Sequence, residues 1–286
     1  MFREERHMKL QNAIAAAAIL SFAGTMGFAQ TDSELTVEGQ FISTEADAPA
    51  HMENVSTVYS GWRFRSEDTR AMQMDDFDNS GFVFVDDGLA LMASVDGSEG
   101  KSCASCHEDV EDFAGLKAQM PRVNDGGELE TLEDLVNGCR TERMGAEPWK
   151  YNGSQMAAVT AVIGLQSRGM PVDVAIDGPA ASFWERGQEL YYARVGQLDL
   201  SCANCHEDNY GTMIRADHLS QGQINGFPTY RLKNAKLNTV HSRFSGCMKN
   251  VRAEPYGIGS DEFKALELYL ASRGTGLSVE TPSIRN

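Results

Sequence analysis

Ser102-Cys103-Ala104-Ser105-Cys106-His107-Glu108-Asp109 returns almost unchanged as Ser201-Cys202-Ala203-Asn204-Cys205-His206-Glu207-Asp208. Each stretch contains Cys-x-x-Cys-His, the spacing at which two thiols bond covalently to a haem c and the histidine reaches its iron. A zinc ribbon places its cysteine pairs about 15–20 residues apart, whereas these two pairs lie in different halves of the chain. A thioredoxin-like dithiol needs no following histidine. Two covalently bound haem c groups are therefore expected. Cys103 and Cys106 would hold one and Cys202 and Cys205 the other, with His107 and His206 as one axial ligand each.

The flanks repeat as well. Asp86-Asp87-Gly88 and Gly97 precede the first motif as Glu185-Arg186-Gly187 and Gly196 precede the second. Downstream, Gly138-Cys139 matches Gly246-Cys247, and Ala146-Glu147-Pro148-Trp149 matches Ala253-Glu254-Pro255-Tyr256. Leu165-Gln166-Ser167-Arg168-Gly169 then matches Leu270-Ala271-Ser272-Arg273-Gly274. Each unit is about 100 residues long, an ordinary domain size. Ser154 is expected to cap a helix carrying Met156, Val159, Ile163 and Leu165, and Ser260 one carrying Phe263, Leu266, Tyr269 and Leu270. Leu129, Leu132, Leu135 and Val136 mark a third helix running into Gly138-Cys139. The expected fold is mainly α: two tandem cytochrome c-type domains, 76–175 and 176–286, related by internal duplication. The stretch from Pro171 to Pro179 reads as the linker. Residues 30–75 fit neither copy and form an N-terminal extension that packs on a lobe or on a partner.

Arg3, Arg6 and Lys9 precede an apolar run from Ala13 to Gly24, and Met26-Gly27-Phe28-Ala29-Gln30 follows. This is the pattern of a signal peptide at 1–29, cleaved after Ala29, with Met8 as an alternative start. The run is shorter than the ~20 residues of a membrane span, so the mature protein is expected in the periplasm, where disulfides and haem attachment coexist. A formal net charge of −16 argues against nucleic acid or anionic membrane as partners.

The second axial ligand is open at this level. Met170-Pro171 is the methionine candidate in the first half, but its aligned position is Thr275, and Met120-Pro121 follows His107 closely. Cys139 and Cys247 remain. A disulfide between them is the ordinary expectation for an even pair in an exported protein. Their matched positions in separate halves favour thiolate ligation of both irons instead, which lowers the iron potential relative to methionine. Charge then separates the halves. From His107 to Ala146 there are ten acidic and four basic residues; from His206 to Ala253 there are three acidic and seven basic. Such a positive field suits an anionic substrate near the second haem, although an acidic partner or a solvated face would also account for it. Arg243, four residues before Cys247, shares its helix face, whereas Leu135 stands at that offset from Cys139.

With these features the chain resembles the SoxA family, the dihaem subunits of the SoxAX cytochrome complexes of bacterial thiosulfate oxidation. The resemblance covers nearly the whole mature chain. It rests on the two Cys-x-x-Cys-His motifs, the Gly-Cys after each, and Arg243. It implies His/Cys ligation of both irons, by His107 and Cys139 and by His206 and Cys247. It implies further that Cys247 carries a persulfide and is the catalytic centre, with Arg243 binding thiosulfate. The implied activity is that of an L-cysteine S-thiosulfotransferase, joining thiosulfate to a cysteine of a SoxYZ-like carrier and passing electrons to cytochrome c. A SoxX-like monohaem cytochrome is the implied heterodimer partner. The alternative is a periplasmic dihaem electron-transfer cytochrome with no substrate of its own; a dihaem peroxidase is a third reading, disfavoured by the matched cysteines.

Overall fold

The computed structural model describes residues 34–286, and the signal peptide read at 1–29 lies outside the described residues. The extension is built of short hairpins. Strands β1 (Glu34–Val37) and β2 (Gln40–Ser43) pair antiparallel across Glu38 and Gly39, both at positive φ, as a two-residue primed turn requires. Strands β3 (Glu45–Asp47) and β4 (Thr57–Tyr59) form a second antiparallel pair. Helix α1 (Glu67–Gln73) follows, capped by the Ser66 hydroxyl and carrying Glu67 and Asp68 in its first turn, where the helix dipole favours acids. The extension is tied to the second half of the chain. The Tyr59 amide donates to Gln221 Oε1 (2.7 Å), Gln221 Nε2 donates to the Thr57 carbonyl (3.1 Å), and Gln73 Nε2 donates to Glu280 (3.1 Å).

The two halves repeat one plan. The first contains α2 (Phe82–Ala93), a small hairpin of β5 (Arg122–Val123) and β6 (Leu129–Glu130), α3 (Leu132–Gly138) and α4 (Ser154–Leu165). The second contains α5 (Ala181–Tyr192), α6 (Cys202–His206), the hairpins β7–β8 (Met213–Ile214, Asp217–His218) and β9–β10 (Thr229–Arg231, Lys236–Asn238), α7 (Val240–Asn250) and α8 (Asp261–Arg273). The C-terminal strand β11 (Ser283–Arg285) joins β9 in parallel. Leu129 is thus a strand residue; the helix after it starts at Leu132, capped by Thr131.

Gly88 and Gly187 explain themselves here. In each half the first long helix crosses the last one at this glycine. A Cβ on Gly88 would lie 2.5 Å from the Ala158 carbonyl oxygen, and one on Gly187 would overlap the Ala265 carbonyl and come within 2.7 Å of Tyr269 Cβ. Ser260 caps α8, accepting from the Phe263 amide. Ser154 does not cap α4: the N-cap is Gly153, and Ser154 is the first helical residue. Helix α4 is buried on every side from Met156 to Gly164, as expected of a helix that is apolar all round; Thr281 of the C-terminal tail covers Gly164.

Two main cores result, and each borrows from the other half. Leu237 and Tyr230 of the second half join the core of α2 and α4. Ala118, Leu129 and the buried Val172 and Val174 join the core of α5 and α8. The 171–179 connection is therefore pinned, with the Val172 amide donating to the Leu277 carbonyl at 2.8 Å. A buried acid–imidazole group closes the seam between the halves. Glu133 on α3, His241 on α7 and Glu267 on α8 are 6%, 0% and 1% exposed. His241 Nδ1 accepts from the Gly259 amide (3.1 Å) and Nε2 stands 3.0 Å from Glu267. Tyr151 stacks on the imidazole at 4.9 Å, and Lys264 pairs with Asp134 nearby (2.9 Å).

Candidate functional site

The haem motifs fold as capped turns. Ser102 and Ser201 stand in extended backbone just before the first cysteine of each motif. Their hydroxyls accept from the amides of Ser105 (3.2 Å) and Asn204 (3.4 Å), whose side chains in turn accept from the serine amides. This reciprocal capping satisfies the free amides of the turn and fixes both cysteines and the histidine on one short capped segment, helical throughout only in the second motif. The loop before each motif is then clasped to the segment after the distal cysteine by matching hydrogen bonds. The Ser98 and Glu99 amides donate to the Gly145 and Met144 carbonyls, as those of Gln197 and Leu198 do to Arg252 and Val251. Gly97 and Gly196, both at positive φ, allow this close approach.

None of the six cysteines is paired in a disulfide. Cys139, at the start of a π-helical turn Cys139–Arg143, lies within electrostatic reach of Cys103 and Cys106. Cys247, on α7, lies within reach of Cys202 and Cys205. Each half gathers its own three thiols, and the structure does not join Cys139 to Cys247 as a disulfide. In the second half His206 and Cys247 are in hydrogen-bonding contact. The His206 Nδ1 bonds the Ser220 carbonyl at 2.7 Å, which leaves Nε2 to meet Cys247 and fixes the ring's orientation as metal-binding histidines require. Gly222 (φ +79°) lets the following loop close on that ring, since a Cβ there would lie 2.9 Å from His206 Cγ. In the first half His107 packs on Phe113, ring centroids 4.6 Å apart. Met170 is 38% exposed and Met120 is buried.

These donors fit a haem c better than a bare ion. What the second half brings together is one imidazole, the Cys247 thiol from α7, and two thiols on the turn that carries the imidazole.

The thiols are not equivalent. Of the two cysteines outside the Cys-x-x-Cys-His motifs, burial and the neighbouring Cys106 push Cys139 up. Burial also acts against the thiolate at Cys247, but Arg243, the His206 contact and Arg231 outweigh it and bring this thiol down to about 7. A low thiol pKa beside cations marks reactive sulfur. Arg243 arrives from one turn earlier on α7 and Arg231 from β9. A third guanidinium, Arg65, comes from the extension; it pairs with Asp217, donates to the His218 carbonyl (2.7 Å), and its side chain is 5% exposed. It lies within electrostatic reach of Arg243. The basic stretch in the sequence contains Arg231. Arg65 gives no such signal, because the fold alone brings the extension to this place.

The SoxA/TsdA cytochrome c domain model matches residues 87–172 and again 186–279. The chain belongs to the SoxA/TsdA cytochrome c family. As a c-type cytochrome of this family it carries covalently bound haem c. It is 54% identical over 279 residues to the L-cysteine S-thiosulfotransferase subunit SoxA of Rhodovulum sulfidophilum, covering 96% of this chain and 97% of that one. It is 52% identical to the subunit of the same name from Paracoccus pantotrophus, covering 98% and 99%. Among solved structures, the crystal structure of SoxXA from P. pantotrophus superposes with a TM-score of 0.86 at 54% identity, covering 88% of this chain and 97% of that one. The SoxA family and the mainly α duplicated fold expected from the sequence are therefore the ones found.

Proposed function

We propose that this chain is the dihaem SoxA subunit of an L-cysteine S-thiosulfotransferase, with the second haem site as its reactive centre. The observation that carries the reading is the setting of Cys247, gathered with His206 and the two motif thiols of the second half and flanked by Arg243 and Arg231. Cys103 and Cys106 would hold the first haem covalently, with His107 and Cys139 as axial ligands. Cys202 and Cys205 would hold the second, with His206 and Cys247. The haem supplies an electron sink close to sulfur.

The chain's own residues supply the rest. Arg243 binds the sulfonate end of thiosulfate, a dianion matched to a guanidinium fork. Cys247 offers sulfur that exchanges bonds as thiolates and disulfides do, consistent with a persulfide there. Joining thiosulfate to a carrier cysteine forms one S–S bond and releases the thiol proton and two electrons, which leave for a cytochrome c. The partners in this reading are a SoxX-like monohaem cytochrome and a SoxYZ-like carrier. Among the described residues no helix is long and apolar enough to cross a membrane; export to the periplasm rests on the leader pattern at 1–29.

The test is peptide mass spectrometry of the haem-loaded protein together with thiosulfate-dependent reduction of cytochrome c in the presence of carrier. Two covalent haems, an extra sulfur on the Cys247 peptide and loss of turnover in Cys247→Met and Arg243→Leu are expected. Full turnover in both variants would leave a plain electron carrier.

A further inference from the structure

The charges around Cys247 do not balance, and the imbalance has a definite shape. Among the described residues the ion pairs of this region are Arg65–Asp217 and Arg285–Glu280. Arg231 and Arg243 are in neither, yet they lie within electrostatic reach of each other and of Cys247. Arg231 is also oriented: its Nε donates to an oxygen of Asn286, the last residue of the sequence, at 2.8 Å, and among the described residues its terminal nitrogens bond no side chain. Among the described residues neither guanidinium is paired with a carboxylate side chain, and two such groups beside one thiol repel each other unless an anion lies between them. The carboxylate that would relieve them is close. Asp217 lies within electrostatic reach of Arg231 but is bound by Arg65, a buried side chain of the extension.

We propose that Arg231 is a second substrate-binding residue, holding the anionic end of thiosulfate jointly with Arg243, and that Arg65 is a positioning residue that keeps Asp217 from neutralising Arg231. This rests on the reading of Cys247 as the sulfur-transfer centre and adds to it how the dianion is recognised. Two guanidinium groups from different elements, α7 and β9, match a doubly charged oxyanion, whereas one would leave a charge uncompensated. Removing Arg65 would free Asp217 to turn onto Arg231 and compete with substrate. Its removal should therefore weaken thiosulfate binding although Arg65 itself need not touch it, and removing Asp217 as well should restore binding.

The experiment uses the haem-loaded complex with its partner subunit. KM and kcat for thiosulfate are measured at saturating carrier, and binding of sulfate to the oxidised protein is measured by calorimetry. Arg231→Gln should raise KM and the sulfate dissociation constant by about ten- to a hundredfold, the range of a charge-assisted hydrogen bond, with kcat changed much less. Arg231→Lys should recover part of this. Arg65→Met should raise KM by about tenfold, and Arg65→Met/Asp217→Asn should return it close to the parent value. Haem absorption and melting curves establish that each variant is folded.

An unchanged KM and sulfate affinity in Arg231→Gln would overturn the two-arginine site. A double variant as poor as Arg65→Met would reduce Arg65 to an anchor of the extension. If the parent protein turned over no thiosulfate, the functional reading would fail first, and sulfate binding would still decide whether the pair of arginines is an anion site.

Discussion

Glu133→Gln should stabilise the protein in a pH-dependent manner. Burial first, and the Glu267 charge second, raise the Glu133 carboxyl from 4.5 to about 7 against the weaker pull of Lys117 and His241. Below pH 4.5 both the folded and unfolded chains carry this proton, and the site costs nothing. Between pH 4.5 and about 7 the unfolded chain ionises while the folded one does not, so stability falls as pH rises. The rise from 4.5 to about 7 corresponds to a cost on the order of 3 kcal/mol by pH 7.5. Glutamine has the same shape and no proton to lose. The assay is guanidinium unfolding of the haem-loaded parent and variant at pH 4.5 and 7.5, followed by far-UV circular dichroism. The variant's advantage should grow by about 3 kcal/mol across that interval, whatever its fixed offset. An advantage that did not change with pH, or one that shrank, would refute the account of the seam.

Gly187→Ala should lower stability by about 1–3 kcal/mol, because its methyl group meets the Ala265 carbonyl and Tyr269; thermal unfolding of the variant measures it. Gly222→Ala combines a positive φ with a clash on His206, so it should perturb the ferric paramagnetic resonance signal of the second haem and leave that of the first unchanged. Glu280, 2% exposed, binds Arg285, Gln73 and Ser60. Glu280→Ala should cost about 3–5 kcal/mol and open residues 34–73 to limited proteolysis, read by gel and mass.

Much of this molecule is legible in its repeats. The capped motifs, the Gly-Cys pair, and the glycines at 88 and 187 each recur because each half must solve one packing problem. Local signals succeeded where local physics decides, as at Ser260. They failed at Ser154, where Gly153 caps and the tail buries the outer face of α4, and at Leu129, where a hairpin precedes the helix. Glu133 and His241 stand at the same offset, six residues before Cys139 and Cys247. The alignment contains that coincidence, but its meaning appears only when the two halves face each other. Arg65 was out of reach for a similar reason: nothing within the extension says which lobe it will cover, and long-range pairing leaves no mark on local pattern.

The exchange of side chains between the cores gives the duplication an irreversible character. With Leu237 and Tyr230 filling one core and Ala118 and Leu129 the other, neither half encloses its own interior. A chain nicked within 171–179 would remain assembled, its fragments held by each other's missing pieces. Either fragment made alone would present an open apolar socket matched to its absent twin. The tandem repeat has thus become a single compact body, and loss of structure around one haem should be felt at the other.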